Sequence, residues 1–359
     1  MSGGKDPVHG KMEDVTVSDH SADEVLFERR GTLAHIVLNR PRALNALTHG
    51  MVLAIAAKLE EWAHDERVRT VLLTGAGDRG LCAGGDIVAM YRDATGGDGS
   101  AAERFWRDEY AMDARIAAYP KPFVAIMDGV VLGGGVGVSA HAAHRVVTER
   151  STVGMPETTI GYIPDVGGTW LLARAPGELG TYLALSGTSV GPGDAIALGL
   201  ADVFVRSERL PALIEALASR NEAAATTIIP FTEQPPPAEL LPEREWIDEA
   251  FAGDDLAGIL TRLQGRDIGD TIAAKSPTAL AVTLAALRRA RALPNLGAVL
   301  AQDLRVSMRS LRSHDFAEGI RAQVIDKDRA PRWEPGTVAE VTPDLVASFF
   351  APLERELGD

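Results

Sequence analysis

The sequence predicts an α/β fold, helices packed against sheet, continued by a mainly helical C-terminal region. Three observations predict it. Across residues 25–150 short β-rich runs alternate with segments of helical period, the pattern of helices laid on a sheet. Two glycine runs, Gly84-Gly85 and Gly133-Gly134-Gly135, each sit just ahead of a helix start. After Ser207 the chain becomes alanine-rich and almost continuously helical in pattern.

Taken in order, Val25 to Leu38 reads as a hairpin, two β-rich runs flanking a turn at Gly31. Leu44 to Asp65 carries helical spacing through Leu47, Met51, Ile55, Leu59 and Trp62, with Thr48 placed to cap the helix. Val68 to Thr74 is a short apolar run, hence a buried strand. Gly75 to Gly80 is loop. Asp86 stands at the N-cap of a helix over 87–92, and 94–101 is a Gly/Ser-rich break. Residues 102–118 are helical until Tyr119-Pro120-Lys121-Pro122 stops them. Phe123 to Met127 is another buried strand. A small-residue helix follows from Gly133 to His144, then a strand over 145–148. Gly161 to Gly168 is loop. Helices are expected over 170–175, 180–186 and 192–198, and a last strand over 201–205. Beyond it come a helix over 208–225, a hard stop at Pro235-Pro236-Pro237, and helix to Met308 broken at Gly253, Gly265 and Pro294. Residues 309–359 hold further helix and a proline-rich passage. There is no internal repeat. The division is a flexible leader over 1–22, a core over 23–207, and the helical region over 208–359.

The 359 residues suffice for one large domain with a sizeable core. The net charge of -14, with no basic stripe, sets nucleic-acid binding aside. No run approaches the ~18 apolar residues of a membrane helix, and the N-terminal stretch lacks a signal-peptide core. A single cysteine, Cys82, rules out an intrachain disulfide and fits a reducing, cytoplasmic setting.

The chemistry gathers between Met127 and Gly168. A helix start presents free N–H groups, and two such amides aimed at one point stabilise the charge on an attacked carbonyl. Either glycine run alone is equally a tight turn or a close packing contact. Neither is a phosphate-binding or dinucleotide loop by spacing. Glu157 lies in uncharged sequence, where burial would fit it as base, acid or nucleophile; a capping glutamate is the plainer alternative. Asp165 precedes Val166-Gly167-Gly168 and alone reads as an Asx turn or cap. Together two carboxylates on one loop system can divide acid and base roles. Glu109, mid-helix, reads by itself as a solvated residue. Cys82 reads as a small buried cysteine, and His141 with His144 as packing or surface, not as metal ligands.

Several segments, in this order and spacing, resemble the crotonase (enoyl-CoA hydratase/isomerase) superfamily: Asn39-Arg40-Pro41 with Leu44 to Leu47, Cys82 to Ile87, Asp128 to Gly137, Met155 to Thr158, and Ile163 to Thr169. Within it the likeness is to the 3-hydroxyisobutyryl-CoA hydrolases. The resemblance covers roughly 25–345. It implies a crotonase (ClpP-like) spiral of β-β-α units. It implies an oxyanion hole from the Gly85 and Gly134 amides, and a binding segment for the coenzyme A nucleotide end including Arg42, Leu44, Ala83, Asp86 and Ile87. Hydratases of the superfamily use two glutamates. One corresponds to Glu157; at the other position this chain has Gly137. The hydrolase pattern has the Glu157 position, an aspartate where Asp165 stands, and a further glutamate matching Glu109.

What this implies is hydrolysis of 3-hydroxyisobutyryl-CoA, or a similar 3-hydroxyacyl-CoA, to the free acid and CoA. Glu157 and Asp165 would be catalytic and Glu109 would line the substrate. Valine catabolism is the implied setting. No separate cofactor is needed, since CoA belongs to the substrate. The implied partners are the acyl-CoA and further copies of the chain, as a trimer or hexamer. The alternatives are an enoyl-CoA hydratase or isomerase, and an inactive binding subunit of the same fold.

Overall fold

Strands β1 (Val25–Arg30) and β2 (Leu33–Leu38) form the expected hairpin, antiparallel, pairing Val25 with Leu38 through Arg30 with Leu33. The computed structural model describes residues 24–220 and 222–358; the expected leader over 1–22 lies outside them. After the hairpin comes α1 (His49–His64), capped by Thr48, whose hydroxyl accepts the Met51 N–H at 3.2 Å. The pattern of strand, strand, helix then repeats. β3 (Thr70–Gly75) and β4 (Gly80–Cys82) lead to α2 (Ile87–Gly96) and α3 (Ser100–Ala117). β5 (Phe123–Met127) and β6 (Val130–Leu132) lead to α4 (Gly134–Ala140). β7 (His144–Val147) and β8 (Thr152–Gly154) lead to the loop carrying Glu157 and Asp165.

After the hairpin, whose strands both join the first sheet, each turn gives one strand to each of two sheets. The first has the order β1-β2-β3-β5-β7-β10, with β10 at Val203–Phe204. The second has the order β4-β6-β8-β9, with β9 at Ser189–Val190. Neighbours from β2 to β10 in the first sheet, and β4 to β8 in the second, run parallel. This is the β-β-α spiral the resemblance implies. β5 sits centrally with all five residues buried, as expected of a parallel strand covered on both faces. The second sheet has no counterpart in the sequence reading, because strands of two or three residues are too short to show a period.

The helical C-terminal region breaks where expected. The helices Arg244–Ala250, Leu256–Arg262 and Asp267–Ala273 are separated at Gly253 and Gly265, both at positive φ. Pro294 parts α5 (Pro277–Ala292) from α6 (Leu296–Ser310). Three expectations need correction. The helix expected from Gly133 to His144 ends at Ala140, and His144 opens β7. The helix expected over 208–225 is Leu210–Ser219 followed by a separate turn at Ala224–Ile228. The break expected over 94–101 shrinks to three residues, because α2 runs to Gly96 and α3 starts at Ser100. One apolar core runs from Val25 to Phe350, so the C-terminal helices complete the core of the spiral. A smaller cluster fills the space between the first sheet and Leu210–Ser219. Among the described residues no helix is long and apolar enough to cross a membrane.

Candidate active site

The two glycine turns meet. Leu47 pairs with the Gly84 carbonyl (2.8 Å) and the Asp86 N–H (2.9 Å), which turns the intervening Gly85 N–H the other way. Gly133, at φ +53°, opens α4, and its carbonyl takes the Val136 and Gly137 amides. The Gly134 N–H is left over at the helix start. A Cβ placed on Gly134 would lie 3.3 Å from the Gly85 nitrogen. The two amides thus flank one small space, as an oxyanion hole requires.

Two carboxylates close that space. A Cβ on Gly133 would lie 2.6 Å from Glu157 Oε1, and one on Gly134 would lie 2.8 Å from Glu109 Oε1. Only glycine leaves room for both acids. Glu157 opens the turn Glu157–Ile160, and its buried Oε2 has no hydrogen-bond partner. Glu109 is 2% exposed, on the inward face of α3 with Phe105, Trp106 and Tyr110. The solvated reading of Glu109 is wrong, because α3 is covered on that side by the site itself. Burial pushes both acids well above the usual glutamate range. The Asp165 charge adds to this for Glu157; Asp113, Asp165 and Glu157 add to it for Glu109.

Asp165 is neither an Asx turn nor a cap. Its Oδ2 accepts the hydroxyls of Tyr110 (2.7 Å) and Tyr162 (3.0 Å). Burial raises its pKa to about 6, against the opposing pull of the two hydroxyls. Both tyrosines also touch Ser307, whose hydroxyl donates to the Asp303 carbonyl at 2.7 Å. The turn that carries Asp165 is strapped twice more. Asp303 Oδ2 accepts the Gly167 N–H at 2.9 Å. His141 Nε2 lies 2.8 Å from the Val166 carbonyl and donates to it; burial lowers its pKa to about 4, so the ring is neutral. Val166 itself sits at φ +50°, an uncomfortable angle for a β-branched residue.

These groups line a cavity of about 300 Å³ that holds Gly85, Gly134, Glu109, Glu157 and Asp165 together, with Ala83 and Ile87 in its wall. Arg42, Leu44 and Asp86 are not in that wall. The Arg42 carbonyl accepts from Arg79 (3.0 Å), the Leu44 carbonyl accepts the Ala83 N–H (3.0 Å), and Asp86 caps α2 while facing Arg40 at 3.4 Å. They border the site and hold its loop. Cys82 is buried, and burial pushes its thiol up to about 12, which removes it as a nucleophile. Among the described residues no group of His, Cys, Asp or Glu is arranged to hold a metal.

Sequence reading missed Asp113, Tyr110, Tyr162, Asp303 and Ser307. The i,i+4 spacing of Glu109 with Asp113, and of Asp303 with Ser307, was the available signal. It puts each pair on one helix face, but does not say that the face is buried.

Paired amides over buried carboxylates, carried on a β-β-α spiral, define an enzyme of the crotonase class. The chain belongs to the enoyl-CoA hydratase/isomerase family, whose profile matches residues 33–350. A Danio rerio protein named 3-hydroxyisobutyryl-CoA hydrolase, mitochondrial, is 36% identical over 366 residues, covering 98% of this chain and 94% of that one. A structure described as a carnitinyl-CoA dehydratase from Mycobacterium thermoresistibile is 48% identical with a TM-score of 0.89, covering 93% of this chain and 98% of that one. One described as an enoyl-CoA hydratase from Rhodobacter sphaeroides is 43% identical with a TM-score of 0.86, covering 92% and 98%.

Proposed function

We infer that the chain hydrolyses a 3-hydroxyacyl-CoA thioester, 3-hydroxyisobutyryl-CoA foremost, to the free 3-hydroxy acid and CoA. One observation carries the choice of reaction. Glu157 and, from α3, Glu109 stand beside the paired amides, and α4 supplies no carboxylate. Position 137 is glycine, and a Cβ there would meet Val166 Cβ at 2.7 Å and Asp113 Oδ2 at 2.8 Å. A pair of acids bridging a carbon–carbon double bond has no place on that side. Glu157 facing a carbonyl held on the two amides has.

The thioester oxygen binds on the Gly85 and Gly134 amides. Glu157 either attacks the carbonyl carbon, expelling CoA thiolate and leaving a mixed anhydride that water opens, or takes a proton from the attacking water. Its raised pKa makes it a stronger base once ionised. Asp165, held by its two tyrosines, accepts the substrate's 3-hydroxyl. Glu109 supports the acyl group, and the 42–44 segment with Asp86 guides the nucleotide end of CoA. The name of the Danio rerio relative supports this reading. The names of the two solved structures favour a second one, addition or removal of water at a double bond.

Free-thiol release from 3-hydroxyisobutyryl-CoA, run beside loss of enoyl absorbance from crotonyl-CoA, separates the two. Thiol release without hydration is expected. Glu157→Gln should remove it by ~10³-fold or more while leaving substrate binding. Hydration without thiol release overturns the hydrolase reading.

A further inference from the structure

Lys275 follows the helix Asp267–Ala273 and precedes Ser276, the N-cap of α5. It is only 7% exposed. Its Nζ donates to Thr159 Oγ1 at 2.6 Å, and among the described residues it has no acidic partner within ion-pair distance. Burial lowers its pKa to about 8, so the amine remains chiefly ammonium at neutral pH. The backbone makes room for the pair. Gly187 lies at φ +64°, and a Cβ there would sit 3.2 Å from both Lys275 Nζ and Thr159 Oγ1.

An ammonium only donates, so Thr159 Oγ1 is the acceptor and its own hydrogen turns away from Lys275. Among the described residues that hydrogen has no acceptor. Thr159 lines the same cavity as Glu157 and Asp165. The cavity therefore offers a polarised hydroxyl donor and, at Asp165, an acceptor. A substrate hydroxyl is the group that satisfies both at once, donating to the carboxylate and accepting from the threonine.

We propose that Lys275, acting through Thr159, selects acyl-CoA substrates that carry a 3-hydroxyl. Thr159 is the specificity contact and Lys275 its positioning residue. This rests on the thioester-hydrolase reading above and deepens it. A substrate without the hydroxyl leaves the Thr159 hydroxyl hydrogen without an acceptor, and a site built for a hydroxyl rejects such an analogue strongly.

The test compares thiol release from 3-hydroxyisobutyryl-CoA and isobutyryl-CoA by the full chain and by Thr159→Val, Thr159→Ser, Lys275→Met and Lys275→Arg, each checked for fold by circular dichroism. The ratio of the two kcat/KM values should fall roughly tenfold or more in Thr159→Val and Lys275→Met. It should be largely restored in Thr159→Ser and Lys275→Arg. A merely structural lysine would lower both substrates together and leave the ratio alone. If Lys275→Met does not fold, the Thr159 pair decides. A folded Thr159→Val with the wild-type ratio overturns the proposal. Absence of thiol release from both substrates in the wild type overturns the hydrolase reading itself, and the specificity proposal with it.

Discussion

The Tyr110 hydroxyl donates to Asp165 Oδ2 at 2.7 Å, joining α3 to a loop 55 residues further along the chain. The contact does two jobs. It fixes the rotamer of the carboxylate, and it favours the ionised form in a place where burial opposes ionisation.

Removing it has a definite sign. Tyr110→Phe takes away a donor to the anion, so the Asp165 pKa should climb above about 6. A hydrogen bond to a charged group is worth ~1.5–3 kcal/mol, equivalent to ~1–2 pH units. The acid limb of the kcat/KM profile should shift upward by about one unit, with a roughly fivefold loss at pH 6. An unmoved limb would mean that Asp165 does not titrate in turnover.

Gly134→Ala tests the amide pair. The new Cβ would stand 2.8 Å from Glu109 Oε1 and 3.3 Å from the Gly85 nitrogen. It must displace the acid and crowd the point where the carbonyl oxygen binds. Loss of oxyanion stabilisation costs ~10²–10³ in kcat. Steady-state kinetics should show most of the damage in kcat. A loss confined to KM would place the thioester oxygen elsewhere.

His141→Ala should act at a distance. The neutral ring holds the Val166 carbonyl at 2.8 Å, and Val166 stays at φ +50°. Released, that residue relaxes and takes Asp165 off line. Misplacement of a catalytic group on this scale costs ~10-fold or more. His141→Gln, which keeps a side-chain N–H, should recover part of the rate. Equal loss in both variants would say that the ring matters only as bulk.

The local features were legible in sequence and the tertiary ones were not. Thr48 and Asp86 cap their helices because a cap is a matter of a few adjacent residues. The hairpin at Gly31 is likewise local. The two glycine runs, Glu157 and Asp165 stood out by their placement in uncharged sequence, the family resemblance assigned roles to Gly85, Gly134, Glu157 and Asp165, and the structure brings all four to one cavity. Glu109 looked solvated because nothing within α3 announces what covers that face. The second sheet escaped because β4, β6 and β8 are three residues each and owe their form to their neighbours. Asp303 and Ser307 lie well over a hundred residues from the turn they support, so no window of sequence joins them to Asp165.

Asp113 offers a final test, through stability. It is fully buried, and neither carboxyl oxygen has a hydrogen-bond partner. Burial first, then the charges of Asp165 and Asp303, hold its pKa well above the usual 3.8. The folded protein therefore grips this proton more tightly than the unfolded chain does. That contribution is complete below the unfolded pKa and is lost as pH rises through the folded one. Asp113→Asn has no proton to lose. Measured against wild type, its stability should rise between pH 4 and pH 8 by ~1–3 kcal/mol, because only the wild type has there a carboxyl whose raised folded pKa costs stability as the unfolded chain ionises, at ~1.4 kcal/mol per pH unit. The relative gain should vanish toward pH 4. Thermal unfolding at the two pH values checks this. A variant whose stability relative to wild type does not rise between the two pH values would mean that Asp113 is ionised in the fold and held by a donor.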